Sequence, residues 1–239
     1  MRFRASTKNT FAASVWLIKA AIFFLLSFQA HAREIVFILG ADVPGEPAYY
    51  GPAIEYYRNK NAASPPVLVT TARSLAEVRE VLQRTDNDGP WQQVTLVSHG
   101  TPWRGMLTNI YPDGISATLE NIESASSSGG FSPLPETKIN SETIINLESC
   151  GIGRRADYLT AVARLFSSNK DELPLVSASE DFIAFVVRNK PDGSKVTRRF
   201  KLPVVIKTVP GDAKSIGAGF LEEQLDELRA RLDMKLKGA

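Results

Sequence analysis

The stretches QQVTLVSHG (residues 92–100) and TIINLESCG (residues 143–151) are the most informative in this sequence. Each is an apolar run that ends beside a reactive side chain and then a glycine, with His99 in the first and Cys150 in the second. Short apolar runs bounded by turn residues are typical of buried strands in a parallel sheet. If the two strands are neighbours, His99 and Cys150 emerge side by side in one crevice.

Apolar strands alternate with amphipathic helices on both sides of these runs. Further strands are predicted at REIVFILGAD, PPVLVTT and ELPLVSASED, and helices at GPAIEYYRNKN, SLAEVREVLQR and RADYLTAVARLFSS. The second of these helices begins with a capping-box pattern, Ser74 followed by Glu77 three residues later. The alternation predicts a three-layer α/β fold with a mostly parallel central sheet covered on both faces. Open sheets of this kind bind ligands beyond the carboxyl ends of their strands, where His99 and Cys150 are expected.

Three segments lie outside this alternation. Residues 182–207 contain two β-type runs around the turn sequence PDG at 191–193, and they predict an antiparallel hairpin appended to the sheet edge. Residues 124–138, rich in serine and glycine, predict a surface loop. Residues 213–239 carry a leucine stripe and predict a C-terminal amphipathic helix, which either packs on its own domain or joins two copies in a homodimer.

Residues 1–32 have the layout of a secretory signal peptide. Basic residues precede an apolar run that closes on the small-x-small triplet AHA at 30–32. Lys19 leaves that run short of the roughly 20 residues that a membrane-spanning helix needs. We therefore expect cleavage before Arg33, a periplasmic or secreted mature protein, and membrane contact only through this segment before cleavage. Residues 33–212 are then expected to form one α/β domain.

The charge of the chain argues against nucleic acid as a partner. The whole sequence carries a formal charge of +2, and cleavage removes four basic residues and no acidic one, which leaves −2. A nearly neutral mature chain has no electrostatic footprint for nucleic acid, and it contains no motif typical of proteins that bind RNA or DNA.

Cys150 is the only cysteine of the chain, and His99 is its only histidine outside the predicted signal peptide. An oxidising compartment favours paired cysteines, so a lone thiol there is an inert buried group, an intermolecular disulfide partner or a nucleophile. A nucleophilic thiol needs a stabilised thiolate, which an imidazole, a helix N-terminus and nearby cations can provide. We expect these from His99, from the helix that follows Cys150, and from Arg154 and Arg155. The pairing of a lone histidine with a lone cysteine favours the nucleophile.

The motifs VTLVSHG and IINLESCGIG together resemble those of the caspase and legumain-like cysteine peptidases. The histidine comes first and the cysteine follows 51 residues later, which is the order and approximate spacing of the caspase type. The resemblance implies a caspase-like fold and a cysteine endopeptidase that hydrolyses peptide bonds with a Cys-His dyad. Cys150 would attack the peptide carbonyl, His99 would act as general acid and base, and the N–H groups of Gly100 and Cys150 would form the oxyanion hole. This chemistry implies a peptide or protein substrate, with no metal and no cofactor.

The resemblance also implies a substrate specificity pocket lined by Glu148 and Ser177. Glu148 stands two residues before the cysteine, and Ser177 lies in LVSASED on the next predicted strand. A carboxylate in the pocket wall would favour substrates with basic or amide side chains. The sequence departs from the family pattern in one respect, because LGADVPGEPAYYGPAIEYY, after the first strand, contains no basic residue to shape that pocket.

Two other functions are compatible with the same residues. One is a non-catalytic caspase-like binding module in the cell envelope, which a blocked crevice or a buried, unreactive Cys150 would distinguish. The other is a thiol acyl-transferase, such as a transpeptidase. A serine hydrolase is disfavoured because the G-x-S-x-G elbow is missing. A zinc site would need more ligands than one histidine and one cysteine, and thioredoxin-like chemistry would need a second cysteine.

Overall fold

The structure is a computed structural model and describes residues 33–61, 64–169 and 171–202. The predicted signal peptide at 1–32 and the predicted C-terminal helix at 213–239 lie outside the described residues. The described strands are β1 (Glu34–Ile38), β2 (Val67–Val69), β3 (Gln93–Val97), β4 (Gly100–Thr101), β5 (Gly105–Met106), β6 (Ile144–Glu148), β7 (Leu175–Ala178), β8 (Phe182–Asn189) and β9 (Lys195–Leu202). The described helices are α1 (Tyr50–Asn59), α2 (Leu75–Arg84), α3 (Leu119–Ser127), α4 (Ala156–Phe166) and a 3-10 helix at Ile152–Arg154. None of these described helices has the length and apolar character needed to cross a membrane.

Five of the described strands form one sheet in the order β2-β1-β3-β6-β7. Every neighbouring pair in this sheet is parallel. The structure confirms the predicted α/β class with its parallel central sheet and flanking helices, and the strand order is consistent with a caspase-like layout. β3 and β6 are direct neighbours, and Val97 at the end of β3 is level with Glu148 at the end of β6.

The strands of this sheet are apolar on both sides because successive side chains enter two different cores. Phe37, Leu96 and Leu147 belong to the larger core, beneath α2, α3 and α4. Val36 and Ile38 belong to the smaller core on the opposite face, where they pack with residues of α1 and β8. The sheet is thus the middle of three layers, and the covers of its two faces differ in size.

The predicted Ser74 cap at the start of α2 is confirmed, and Glu77 makes the return contact to the Ser74 side chain and to the Arg73 backbone rather than to the Ser74 N–H. The Ser74 hydroxyl accepts a hydrogen bond from the Glu77 N–H at 3.3 Å. The Glu77 carboxylate accepts hydrogen bonds from the Ser74 hydroxyl at 2.9 Å and from the Arg73 N–H at 2.8 Å. The Glu77 N–H, one of the donors that a helix start leaves unpaired, thus has a partner, and the Arg73 backbone is fixed just before the helix.

Two predictions about the segments outside the alternation need correction. The predicted hairpin is present as β8 and β9, but its attachment to the sheet edge is wrong, because the two strands form a separate antiparallel sheet. Its apolar residues Ile183 and Phe185 are buried with α1, which removes them from water on the face of the central sheet. The predicted loop at 124–138 begins too early. Its first four residues complete α3, where Ile122 and Ala125 are buried.

Candidate functional site

His99 and Cys150 lie at the same end of neighbouring strands, each two residues beyond the last paired position of β3 and β6. Hydrogen bonds join the segments that carry them. The Ser98 N–H donates to the Glu148 carbonyl at 3.2 Å, and the Ser149 hydroxyl donates to the Ser98 carbonyl at 2.9 Å. The strand order therefore brings the two residues of the predicted dyad to one edge of the sheet.

Tyr49 occupies the space between the His99 ring and the end of β6. Its ring centroid lies 4.4 Å from that of His99, with 31° between the ring planes. Its hydroxyl donates a hydrogen bond of 3.0 Å to the Glu148 carbonyl. Only 6% of Tyr49 is exposed. Burial raises the pKa of Tyr49 well above its ordinary value, and the nearby Cys150 adds to the effect. A peptide carbonyl that approaches Cys150 from the side of His99 would meet this ring.

A second tyrosine and an aspartate surround Tyr49 and fix its position. The Tyr50 ring centroid lies 5.1 Å from that of His99, and the Tyr50 hydroxyl accepts a hydrogen bond from the His99 backbone N–H at 3.2 Å. The Asp42 carboxylate accepts hydrogen bonds from the backbone N–H groups of Tyr49 and Tyr50 at 2.7 Å and from that of Gly51 at 2.8 Å. Burial alone would raise the pKa of Asp42, but these hydrogen bonds outweigh it and lower the pKa. An anion at the start of α1 is also favoured by the helix dipole.

The surroundings of His99 favour its neutral form. Burial lowers the pKa of His99, and the carboxylates of Asp42 and Glu46 oppose this only in part. The residue keeps an exposed edge even though two tyrosine rings flank it. His99 is therefore a neutral imidazole at neutral pH, which is the form that can accept a proton from a thiol.

Cys150 is buried, with 8% of its surface exposed. Its Sγ lies 3.5 Å from the backbone nitrogen of Ile183 and 3.7 Å from the Ile183 carbonyl oxygen, so the thiol contacts the start of β8. Burial raises the pKa of Cys150, the Ile183 N–H acts in the opposite direction, and Glu148 raises the pKa further. The expectation of a stabilised thiolate is therefore wrong for this conformation, in which the thiol is protonated at neutral pH.

The two arginines expected near the thiol contact other partners. Arg154 donates through Nε to the Glu180 carbonyl at 2.9 Å. Arg155 forms an ion pair with Asp157 at 2.8 Å. The expected helix does not begin directly after Cys150 either, because the 3-10 helix comes first and α4 starts at Ala156. Although the two arginines and the helix are near Cys150 in sequence, they do not stabilise its thiolate in this structure.

Glu148 and Ser177 lie on one face of the sheet but do not form an acidic pocket. Ser177 is exposed and is level with Asn146, two residues before Glu148. Glu148 is buried, with 4% of the residue exposed. Its carboxylate forms an ion pair with Arg199 of β9 at 2.6 Å and accepts a hydrogen bond from the Asn146 side chain at 2.8 Å. Arg199 compensates the charge of Glu148 within the protein. In this conformation the carboxylate is therefore not free to bind the basic side chain of a substrate.

The two glycines allow the segments after His99 and Cys150 to pack closely. A Cβ at Gly100 would lie 2.9 Å from Ser149 Cβ and from Ile152 Cδ1. Gly151 has a φ of +68°, in the left-handed region that favours glycine, and a Cβ there would lie 2.6 Å from Pro102 Cγ. Gly100, one of the two predicted oxyanion-hole residues, is thus placed against the segment that carries Cys150, the other one.

The sequence interpretation missed Tyr49, Asp42 and Arg199. For Tyr49 and Asp42 the sequence does contain a local pattern. An aspartate lies seven residues before a pair of tyrosines, and a predicted helix follows that pair. Arg199 and Glu148 lie 51 residues apart and no local pattern relates them.

No family model matches this chain, and no match was found among curated proteins or among solved structures. Within the described residues, no group of three or more histidine, cysteine, aspartate or glutamate side chains is placed to hold a metal ion.

Proposed function

We propose that this protein is a cysteine endopeptidase similar to the caspase and legumain-like peptidases, and that the conformation described is its closed state. The observation that supports this most strongly is the position of His99 and Cys150 on adjacent parallel strands, at the edge where open sheets bind ligands. An imidazole and a thiol that can meet at this edge once Tyr49 moves are the minimum that nucleophilic thiol catalysis requires.

In the open state, His99 accepts the proton of the Cys150 thiol, and Sγ forms a bond to the carbonyl carbon of the peptide. The carbonyl electrons move to oxygen, and the N–H groups of Gly100 and Cys150 stabilise the resulting oxyanion. Its collapse breaks the C–N bond, and His99 transfers the proton to the departing amine. Water, activated by His99, then hydrolyses the thioester and regenerates the thiol.

Opening of the site requires two local changes. The Tyr49 side chain must leave the space beside His99, and Cys150 Sγ must exchange the Ile183 backbone for substrate. The raised pKa of Cys150 keeps the nucleophile protonated until then. A preference for basic or amide side chains further requires Glu148 to separate from Arg199 and to line a pocket with Ser177.

Thiol reactivity tests whether the dyad can be activated. We expect iodoacetamide to alkylate Cys150 slowly in the unmodified protein at neutral pH and at least about tenfold faster in Tyr49→Ala, because each unit by which the thiol pKa falls raises the thiolate fraction about tenfold. Adding His99→Ala to Tyr49→Ala should reverse most of the gain. Tyr111→Ala controls for the loss of a tyrosine elsewhere, because Tyr111 is an exposed residue that stacks on Phe131 and does not contact His99.

Peptide cleavage tests the reaction itself. A peptide library incubated with Tyr49→Ala and analysed by mass spectrometry should give cleavage products that Tyr49→Ala/Cys150→Ser does not give. Identical products from both variants, or none from either, would contradict an endopeptidase. The same incubation with an added amine acceptor separates hydrolysis from acyl transfer, because a transferase yields the amide of the acceptor.

A non-catalytic binding module is the second candidate, and the burial of Cys150 together with the position of Tyr49 favours it. A binding module requires neither an activated thiol nor an open crevice. If the protein is a binding module, the pH dependence of Cys150 alkylation in Tyr49→Ala is that of an ordinary thiol. His99→Ala does not change it, and no peptide is cleaved.

We also propose that the protein is exported to the periplasm or secreted after cleavage before Arg33. The support is the signal-peptide layout of residues 1–32. The structure adds a compatible detail, because the Arg33 carbonyl already accepts hydrogen bonds from the N–H groups of Gln92 at 3.0 Å and Gln93 at 3.2 Å. N-terminal sequencing of the protein isolated from a bacterial periplasm should begin at Arg33, and an unprocessed cytoplasmic chain would contradict export.

A further inference from the structure

A cavity of about 340 Å³ lies beside the end of β1, at the same edge of the sheet as His99. It adjoins the candidate site, because Leu107 in its lining donates a backbone hydrogen bond to the His99 carbonyl at 2.7 Å, but neither Tyr49 nor Cys150 lines it. The polar residues that line it are Arg73, Arg104, Thr108, Asn109, Ser116 and Thr118. Two arginines thus line one small cavity, and no aspartate or glutamate lines it.

Arg73 is held rigidly at this position. Its Nη1 donates to the carbonyl oxygens of Thr70 at 2.8 Å, Ala72 at 2.9 Å and Ile38 at 3.3 Å, at the ends of β2 and β1. Its backbone carbonyl accepts a hydrogen bond from the Thr108 hydroxyl at 3.0 Å. The guanidinium therefore binds neutral carbonyl groups, and it forms no ion pair with a carboxylate of the described residues.

Arg104 is exposed, and its guanidinium has no hydrogen-bond or ion-pair partner among residues 33–61, 64–169 and 171–202. Arg84, Arg155 and Arg199 contrast with it, since each pairs with a carboxylate. The positive charges of Arg73 and Arg104 are thus uncompensated where they line the cavity. Guanidinium groups bind carboxylates and phosphates through charge-assisted, often bidentate hydrogen bonds, and the hydroxyls of Ser116 and Thr118 can add further donors.

We infer that this cavity binds a small anionic ligand through a carboxylate or phosphate group. Its volume lies near the lower end of the range for ligand sites, which suits a compact molecule. Leu107 and Met106 also line the cavity and provide apolar contact for a short carbon chain. Arg73 is preorganised by its carbonyl contacts, and Arg104 of the same lining supplies the second positive charge. The inference concerns a site that does not include Cys150, so it stands independently of the peptidase proposal.

Isothermal titration calorimetry of the full chain with inorganic phosphate, succinate and butyrate tests the inference at constant ionic strength. The preferred probe identifies whether the ligand is a phosphate, a dicarboxylate or a monocarboxylate. We expect millimolar or tighter binding of at least one probe, and at least about tenfold weaker binding by Arg104→Gln, because that variant loses a charge-assisted contact without disturbing a core residue. Arg73→Gln should weaken binding as well.

Arg58→Gln is the matched control, because Arg58 is an exposed arginine on α1 that does not line the cavity. Its removal should leave the affinity unchanged, which separates a built site from general attraction to positive charge. Absence of binding for all three probes would overturn the inference. Equal binding by Arg104→Gln and the unmodified protein would overturn it too. Matching thermal unfolding of the ligand-free variants confirms that any loss of affinity is not a loss of folding.

Discussion

His99 binds protons less tightly in the folded protein because burial disfavours the imidazolium by more than the carboxylates of Asp42 and Glu46 favour it, which lowers the pKa. Between its lowered pKa and the unfolded value of about 6.5, the folded protein therefore binds fewer protons than the unfolded chain. In that pH window the contribution of His99 to the free energy of unfolding increases as the pH rises and is lost as the pH falls. We expect His99→Gln to flatten this dependence in urea unfolding at a series of pH values. Cys150→Ser should leave it unchanged, and an unaltered slope in His99→Gln would contradict a lowered pKa of His99.

Cys150 illustrates which properties of a residue the sequence cannot provide. Its place at the end of a strand could be predicted, since the preceding run is continuously apolar and a glycine follows. Its electrostatic surroundings could not, because Arg154 and Arg155 are near in sequence but direct their guanidinium groups to other partners. The contact that buries the thiol comes from Ile183, 33 residues further along the chain. Burial therefore determines the direction of its pKa shift, opposite to the one predicted.

At the scale of elements, an ion pair between a buried glutamate and a partly buried arginine joins the hairpin to the central sheet. Glu148 ends β6 and Arg199 lies on β9, with side chains 5% and 21% exposed. Removal of one partner leaves an unpaired charge in a desolvated position, which costs about 3 kcal/mol. We expect Arg199→Gln to lower the free energy of unfolding by about that amount, as measured by urea denaturation.

Two further variants check this assignment. Arg198→Gln changes the neighbouring exposed arginine of the same strand and should alter the free energy of unfolding by less than about 0.5 kcal/mol. Glu148→Gln combined with Arg199→Gln should recover part of the loss, because neither charge is then left unpaired. Equal effects of Arg198→Gln and Arg199→Gln would contradict a structural role for the pair.

The elements differ in how far the sequence determines them. The central strands were predictable because burial on both faces requires uninterrupted apolar runs. The hairpin was predictable from its PDG turn, but its docking position was not. An alternating run such as that of β8 fits either a sheet edge or a sheet face, and the choice depends on where Phe185 meets α1. The extent of α3 was missed because serine is a weak helix former, and packing of Ala125 outweighs that preference.

The whole molecule has two cores of unequal size, and the candidate site belongs to the smaller one. Among the described residues, 25 buried side chains form the core beneath α2, α3 and α4, whereas nine form the core between the sheet, α1 and β8. Tyr49 and Ile183, which close the site, are members of the smaller core. A layer with less buried apolar surface separates from a protein at a lower free energy than global unfolding requires.

Opening of the site is therefore expected to require less free energy than global unfolding does. If so, the alkylation rate of Cys150 should rise with urea along a slope smaller than the m-value of global denaturation, because only the surface under α1 and the hairpin becomes exposed. Hydrogen exchange measured in parallel should show amides of α1 and β8 exchanging before those of α2 and α4. A slope equal to the global m-value would mean that Cys150 becomes accessible only on complete unfolding. That result would contradict the open state that the proposed peptidase requires, and it would favour the non-catalytic binding module.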